Sequence, residues 1–300
     1  MGRPRLDFTV AAMALALAAC GQAGTDESAV QGKPATSVKA PVKEAVETDF
    51  DRKKFTRSAR IDNQWTPLRP GMQFTFEGRA NRGQGRLPHR VVFTVTDLTK
   101  VIDGVRTVVL WDRDFNAGQI VETELAFFAQ DDDGNVWLLG EYPEEWEDGE
   151  FSEAPDVWFS GVAKARAGIM MRADPQLGTS SYLQGSAPDI EFSDRAKVHQ
   201  TGQRTCVPLG CYDNVLVTDE WNPLEQGDAH QRKFYAPGVG NIRVGAVNDP
   251  EAETLVLVKL SQLDPGALAQ AREEALELER RAYRVRKDVY GRTPPAEHTP

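Results

Sequence analysis

Short turn signals recur along this chain, and each one stands between two apolar runs. Asp103-Gly104 is the strongest of them, because both residue types tolerate the positive φ angles of a two-residue hairpin turn. The segments Asn116-Ala117-Gly118, Asp133-Gly134 and Asp148-Gly149 repeat the signal, about fifteen residues apart. Consecutive hairpins pair neighbouring strands. The pattern therefore predicts an antiparallel meander and excludes a βαβ fold with a phosphate-binding crossover.

Strand-like segments begin near Trp65 and continue through a second group after the middle of the chain. That second group comprises Ile190 to Thr205, Cys211 to Trp221, His230 to Tyr235, Gly240 to Val247 and Thr254 to Leu260. Two runs, Thr107 to Trp111 and Leu255 to Val258, are apolar on both faces, so they are buried on two sides or form one wall of a cavity. The sequence predicts a mainly β domain over residues 61–262: a curved meander sheet, a barrel or a sandwich.

One long helical pattern follows the strands. It begins at Asp264-Pro265, an N-cap followed by proline at the first helical position. Leu268, Leu278, Val285 and several alanines recur at spacings of three and four, which gives a narrow apolar seam. This predicts a C-terminal amphipathic helix over residues 263–291 and a disordered tail over 292–300. Two roles for the seam remain open, packing on its own domain or pairing with another chain.

The first twenty residues combine a basic start, an apolar run and small residues before a cysteine. Arg3 and Arg5 precede the run, which ends in Leu17-Ala18-Ala19-Cys20. This layout is that of a secretory signal peptide, and it resembles the signal of a bacterial lipoprotein. The resemblance implies that residues 1–19 are removed and that Cys20 is lipidated. Gly21, in place of an aspartate that would resemble an inner-membrane retention signal, favours an outer-membrane lipoprotein that faces the periplasm.

The composition and net charge of the chain limit its domain organisation and the classes of partner that it can bind. Residues 20–60 are poor in large apolar side chains and predict a flexible tether. The formal net charge is −10, and loss of residues 1–19 removes two arginines and one aspartate, which leaves −11. An acidic chain of this kind argues against nucleic acid as a partner. Hydrophobic residues, at 40%, suffice for the core of one domain.

Two cysteines remain beside Cys20. Cys206 and Cys211 flank a turn-like Val207-Pro208-Leu209-Gly210 in a chain predicted to leave the cytoplasm. Exported proteins permit disulfides, so we expect this pair to be oxidised, with two free thiols as the alternative. The four histidines are dispersed, and structural zinc requires four ligands, so the sequence predicts no metal site.

Residues 131–156 contain eleven acidic side chains and no lysine or arginine. Three interpretations are open: solvated hairpin turns, a Ca²⁺ site, or a pair of carboxylates that cleaves a glycan, with Asp131, Asp133, Glu144 and Glu147 as its candidates. The segment lacks the alternation of an EF-hand loop, and the chain has no Gly-x-Ser-x-Gly elbow. The sequence therefore predicts no catalytic residue and no cofactor.

Two sequence motifs lie near the two ends of the β region. Pro67-Leu68-Arg69-Pro70-Gly71 lies near its start, and Tyr235-Ala236-Pro237-Gly238-Val239-Gly240 lies near its end. Together with Phe128 to Trp137 and Tyr212 to Thr218, they resemble a group of secreted bacterial β-rich proteins without assigned activity. The resemblance covers roughly residues 62–262 and implies one antiparallel β domain. It transfers no catalytic residue.

These observations favour a non-enzymatic, membrane-anchored envelope lipoprotein that binds an apolar ligand or another envelope protein. Two alternatives belong to other classes. One is an envelope glycan hydrolase that uses carboxylates of the acidic stretch. The other is an assembly or scaffold protein that acts through the C-terminal helix.

Overall fold

The structure, a computed structural model, describes residues 49–225 and 227–299. Fifteen strands and two α-helices follow one another in chain order. The strands are β1 (Met72–Asn81), β2 (Arg86–Ile102), β3 (Val105–Asn116), β4 (Gln119–Gln130), β5 (Val136–Glu147), β6 (Glu150–Glu153), β7 (Trp158–Phe159), β8 (Arg166–Met171), β9 (Tyr182–Ala187), β10 (Phe192–Val207), β11 (Gly210–Trp221), β12 (His230–Ala236), β13 (Gly240–Val247), β14 (Thr254–Gln262) and β15 (Glu297–His298). The helices are α1 (Pro265–Val285) and α2 (Lys287–Tyr290).

Twelve of these strands close into an antiparallel barrel. Strand β1 pairs with β2 on one side and with β14 on the other, and between them each strand pairs with its neighbour in the meander. The short strands β6 and β7 pair with β5 outside this ring. The predicted mainly β meander with a C-terminal helix is confirmed, and of the three predicted architectures the chain adopts the barrel.

The predicted hairpin turns supply the tight connections. Asp103 and Gly104 have φ angles of 50° and 79°, and they join β2 to β3 with two residues. Ala117 and Gly118 join β3 to β4 in the same way, as Asp148 and Gly149 join β5 to β6. Turns with two positive φ angles match the right-handed twist of the strands they connect. The first two hairpins therefore lead directly into the next strand of the barrel, and the third leads into β6 beside it.

The barrel wall separates two apolar cores because strand side chains alternate between its faces. On β3, Val108 and Leu110 point into the lumen, whereas Val109 and Trp111 belong to a second core on the outer surface. This arrangement explains why Thr107 to Trp111 is apolar on both faces. The outer core is covered by α1, α2 and the segments at the two ends of the described chain.

Helix α1 packs on the outside of the barrel. The Asp264 carboxylate caps its first turn by accepting a hydrogen bond from the Ala267 amide at 2.9 Å. Its buried face carries mainly small side chains, among them Ala271, Ala275 and Ala282, so the helix lies close to β2 and β4. Leu278 is buried there and Val285 is exposed. Most of the predicted seam is thus covered by the chain's own barrel, which removes the basis for pairing with another chain through it.

Lys100 of β2 is the polar centre of this interface. It is fully buried, and its ammonium donates hydrogen bonds to Glu279 at 2.8 Å, to the Tyr283 hydroxyl at 3.1 Å and to the Pro294 carbonyl at 2.7 Å. A buried charge is tolerated only when it is paired in this way. The contact fixes α1 and the segment after α2 to the same point of the wall.

Two terminal segments differ from the predicted boundaries. Residues 49–60 fall within the predicted tether, yet Phe50 and Phe55 pack on Trp137, with ring centroids 5.4 and 6.0 Å away. Residues 292–299 fall within the predicted disordered tail, yet Glu297–His298 pairs with β2. Strand β2 runs past the end of its pairing with β1, so its edge there is open to another strand. No helix within residues 49–225 and 227–299 is long and apolar enough to cross a membrane.

Candidate functional site

The barrel lumen has an apolar half and an acidic half, and the division is visible along single strands. The inward positions of β3 change from Leu110 to Asp112 and Asp114. Those of β4 change from Glu122 and Glu124 to Ala126 and Phe128. Because β3 and β4 are antiparallel, the acidic side chains of both strands lie at the same end of the barrel.

The register of this hairpin places like charges opposite each other. Asp112 pairs with Glu124, and Asp114 pairs with Glu122, across β3 and β4. All four are nearly buried. Directly opposed like charges destabilise a sheet, and burial increases the cost. Natural chains break such local rules mainly at functional sites. The four carboxyls therefore mark the lumen as the candidate site.

The apolar half contains a cavity of about 100 Å³. Its aromatic and aliphatic lining consists of Phe74, Phe76, Phe93, Leu110, Phe128 and Met170. Thr66, Pro67 and Leu68 cover it from the end of the barrel. A dry cavity of 150 Å³ in another protein holds benzene or xenon. The apolar half is therefore suited to a group no larger than one aromatic ring.

The cover of this cavity is the segment 61–71, which we call the lid. Its Gln64 carbonyl accepts a hydrogen bond from the Gly238 amide at 2.6 Å, so the lid meets the turn between β12 and β13. The two sequence motifs near the start and the end of the β region thus come together at one end of the barrel. Asn63 anchors the lid, since its side-chain amide donates to the Gly134 and Arg172 carbonyls and its oxygen accepts from the Trp65 and Thr66 amides.

A second cavity, of about 50 Å³, lies deeper in the acidic half. Five carboxyls and one ammonium line it: Asp112, Glu124, Glu141, Asp194, Glu220 and Lys233. The Lys233 ammonium lies 2.8 Å from Oε2 of Glu220, whose Oε1 accepts hydrogen bonds from Thr218 at 2.8 Å and Tyr235 at 3.1 Å. Both carboxylate oxygens of Glu220 therefore have partners. The lining of this cavity contains no cationic side chain besides Lys233 for the other four carboxyls.

Burial shifts the ionisation of these carboxyls. It raises the pKa of Glu141 to about 7, although the Trp158 hydrogen bond and the Lys233 charge act in the opposite direction. Burial and neighbouring acids hold the pKa values of Asp112, Glu124 and Asp194 well above their usual range. Groups with strongly raised pKa values in a cavity are candidates for function. The surroundings of these carboxyls therefore favour the neutral, protonated form, and a positive charge beside them would favour the ionised form.

Two carboxylate oxygens of the acidic cavity have no hydrogen-bond partner among the described residues. They are Oδ1 of Asp112 and Oδ1 of Asp194. The Asp112 residue is only 7% exposed. The Asp194 residue is half-buried. Buried polar atoms in native proteins almost always have partners, so two unpaired acceptors at one cavity indicate a place for hydrogen-bond donors.

The acidic end of the barrel is closed by an ion-pair cluster. Arg82 folds inward from the turn after β1, pairs with Glu251, and lies 3.7 Å from both Asp114 and Glu253. His89 bridges the last two, with Nδ1 3.2 Å from Asp114 and Nε2 2.9 Å from Glu253. Burial would lower the pKa of His89, but the hydrogen bond to Glu253 and the two carboxylate charges raise it. These charged side chains close the end of the barrel, and none of them lines either cavity.

The acidic stretch of residues 131–156 does not form one site. Asp131 closes the turn before β5 by accepting from Asn135 and from the Trp137 indole at 2.8 Å. Glu144 is buried on the outer surface, where Tyr142 and Arg281 bind it. Asp133 lies on a surface turn, and Glu147 is the exposed last residue of β5. Of this stretch, Glu141 lines the acidic cavity. The separation removes the basis for the predicted glycan-cleaving pair among Asp131, Asp133, Glu144 and Glu147.

The remaining residues singled out from the sequence lie away from the lumen site. Cys206 and Cys211 face each other across the β10–β11 hairpin and form a disulfide. Cys20 lies outside the described residues. Within residues 49–225 and 227–299, no three His, Cys, Asp or Glu side chains stand close enough to hold a metal ion. Sequence analysis missed Asp112, Glu124, Asp194, Glu220 and Lys233; the one available signal was acidic residues at alternate positions inside apolar strands.

No protein-family model matches the chain, and no curated protein matches it. Three solved structures align with about two thirds of this chain, each at a TM-score below 0.5. A protein from Bacteroides fragilis with a YmcC-like fold, described as exported, is 15% identical and aligns with 66% of this chain and 99% of its own, at a TM-score of 0.38. A protein from Parabacteroides distasonis described as a lipoprotein is 13% identical, with 65% and 97% covered and a TM-score of 0.34. A β-barrel-like protein of a domain of unknown function from Brucella abortus is 13% identical, with 66% and 100% covered and a TM-score of 0.38.

Proposed function

We propose that this protein is a non-enzymatic envelope lipoprotein that binds a small amphipathic ligand in the lumen of its barrel. The observation that carries the proposal is that the two cavities are neighbours in the lumen. Five residues line both of them, so an apolar compartment lies directly beside an acidic one: Phe93, Leu110, Phe128, Met170 and Lys233. Ligand sites are typically apolar cavities with a few placed polar groups, which this lumen matches.

The size of the lumen limits the ligand. Cavities of about 100 and 50 Å³ hold a ring or a short chain with one polar group. An acyl chain or a glycan would require the barrel to open. The ligand of the lumen is therefore a small member of the apolar class expected from the sequence. Another envelope protein would bind at the outer surface of the barrel.

The anchoring half of the proposal rests on the sequence. A lipidated Cys20 would attach the barrel to the membrane, because two or more acyl chains provide a stable anchor. Outer-membrane attachment with the barrel in the periplasm is part of this proposal. Replacing Cys20 by alanine should release the protein from the acylated, outer-membrane fraction. An unchanged amount of acylated protein after this substitution would show that the anchor lies elsewhere.

Xenon provides the test of the lumen, because it enters dry apolar cavities of this size. Crystals of the protein under xenon pressure should show an atom between Phe93 and Phe128. The variant Leu110→Phe should exclude it, because the larger ring occupies the shared section of the lumen. Leu177→Phe makes the same change at an exposed loop residue and should leave binding intact. A lumen without xenon in the wild-type protein would contradict the proposal.

A further inference from the structure

The charge balance of the acidic cavity defines the polar group of its ligand. Five carboxyls face one ammonium, that of Lys233, and this ammonium is already 2.8 Å from Glu220. Asp112 and Asp194 both line this cavity, and each has one carboxyl oxygen without a hydrogen-bond partner among the described residues. From this geometry we infer that the lumen binds an organic cation, a primary ammonium on a short apolar group, with the nitrogen at Asp112 and Asp194 and the apolar group among Phe93 and Phe128. This inference rests on the proposed lumen function.

An ammonium matches these acceptors better than a neutral group. It donates three hydrogen bonds, whereas a hydroxyl donates one. Hydrogen bonds between an ammonium and a carboxylate are also roughly twice as strong as neutral ones. One ammonium can therefore donate to both unpaired oxygens, and its positive charge favours the ionised form of carboxyls whose surroundings otherwise favour the protonated form.

Lys233 shows that this part of the lumen stabilises an ammonium. Its side chain is 3% exposed, and such burial by itself favours the neutral amine. The charge and hydrogen bond of Glu220, followed by the charges of Asp194 and Glu253, outweigh burial and raise the pKa of Lys233. A second ammonium beside Asp112 and Asp194 would meet the same kind of acidic environment.

An organic cation fits this site better than a bare metal ion does. Metal ions require several oxygens that converge on one point, and no such group exists within the described residues. The unpaired oxygens instead border an aromatic compartment of about 100 Å³, which suits the hydrocarbon part of an amine. Aromatic faces also attract cations, which adds to the match.

Isothermal titration calorimetry with a matched pair of probes tests the inference. Full-length protein in phosphatidylcholine nanodiscs is titrated at pH 8 with benzylamine and with benzyl alcohol, and empty nanodiscs provide the blank. Benzylamine should bind with a Kd lower by about tenfold or more, the value of one charge-assisted hydrogen bond. Asp112→Asn and Asp194→Asn should each remove this preference and change the Kd of benzyl alcohol by less than about twofold. Asp189→Asn, at an exposed position, is the matched control.

The outcomes separate this inference from the proposed function. Equal affinity for both probes, lost in Leu110→Phe, would overturn the ammonium inference and keep the lumen as a binding site. Stabilisation by Ca²⁺ or Mg²⁺ without binding of benzylamine would also overturn it. Binding of neither probe, together with a lumen that excludes xenon, would overturn both.

Discussion

Replacing Glu141 by glutamine should stabilise the protein at pH 8 and leave its stability near pH 4.5 almost unchanged. In the folded protein the Glu141 carboxyl releases its proton at a pKa of about 7, compared with 4.5 in the unfolded chain. Between these values the folded state holds a proton that the unfolded chain has released. Stability contributed by this group is therefore fully present below pH 4.5 and is lost as the pH rises to 7.

The interval between the two pKa values gives the magnitude. Each pH unit between the two pKa values lowers the free energy of unfolding by 1.36 kcal/mol. The wild-type protein therefore loses about 3 kcal/mol of stability through Glu141 alone as the pH rises from 4.5 to 7. A glutamine does not titrate, and its side-chain oxygen still accepts the Trp158 indole hydrogen bond, which is 2.8 Å long in the wild-type protein. At pH 8 the variant should exceed the wild-type free energy of unfolding by up to about 3 kcal/mol.

Urea unfolding followed by tryptophan fluorescence, at pH 4.5, 6, 7 and 8, measures this difference. Glu147→Gln makes the same change on an exposed hairpin and should follow the wild-type profile. The reasoning would be refuted if the difference between Glu141→Gln and wild type were the same at every pH, or if the variant were the less stable protein at pH 8.

Three further substitutions test other parts of the structure. Asn63→Ala removes the four hydrogen bonds that anchor the lid and should lower the free energy of unfolding by about 2 to 4 kcal/mol, with faster hydrogen exchange in residues 61–71 than in β3; unchanged exchange there would show that the lid is held elsewhere. Glu279→Ala leaves Lys100 as an uncompensated buried charge and should cost about 3 to 5 kcal/mol in urea unfolding, which Lys100→Met in the same chain should partly restore; no rescue would mean that the loss arises from packing. Replacing both Cys206 and Cys211 by serine opens a loop of six residues and should lower stability by about 2 kcal/mol without changing xenon binding; a loss of binding would tie the hairpin to the lumen.

The meander was predictable because its turns are local. Asp103 and Gly104 adopt the positive φ angles that their residue types favour, and the helix begins at the predicted Asp264 cap. Barrel closure was not predictable. It depends on the pairing of β1 with β14, and these strands are nearly the whole β domain apart in sequence. A sandwich would satisfy the same alternation along each strand.

The acidic pairs of the lumen were hidden by one irregularity. The two-residue turn at Ala117 and Gly118 alone would set Asp114 opposite Val121. A bulge between Asp114 and Phe115 shifts the register by one residue, so Asp114 faces Glu122 instead. Nothing in the local sequence specifies this bulge, and the lining from Asp194, Glu220 and Lys233 arrives from distant strands. Sequence reasoning consequently drew attention to the denser acidic stretch after Asp131, most of which has structural roles.

A crystal structure of the protein soaked with benzylamine at pH 8 tests the central claim most directly. We expect density for the ring between Phe93 and Phe128, with the nitrogen about 3 Å from Oδ1 of Asp112 and Oδ1 of Asp194. Benzylamine bound only on the outer surface, or a lumen whose side chains leave no room for it at saturating concentration, would contradict the account.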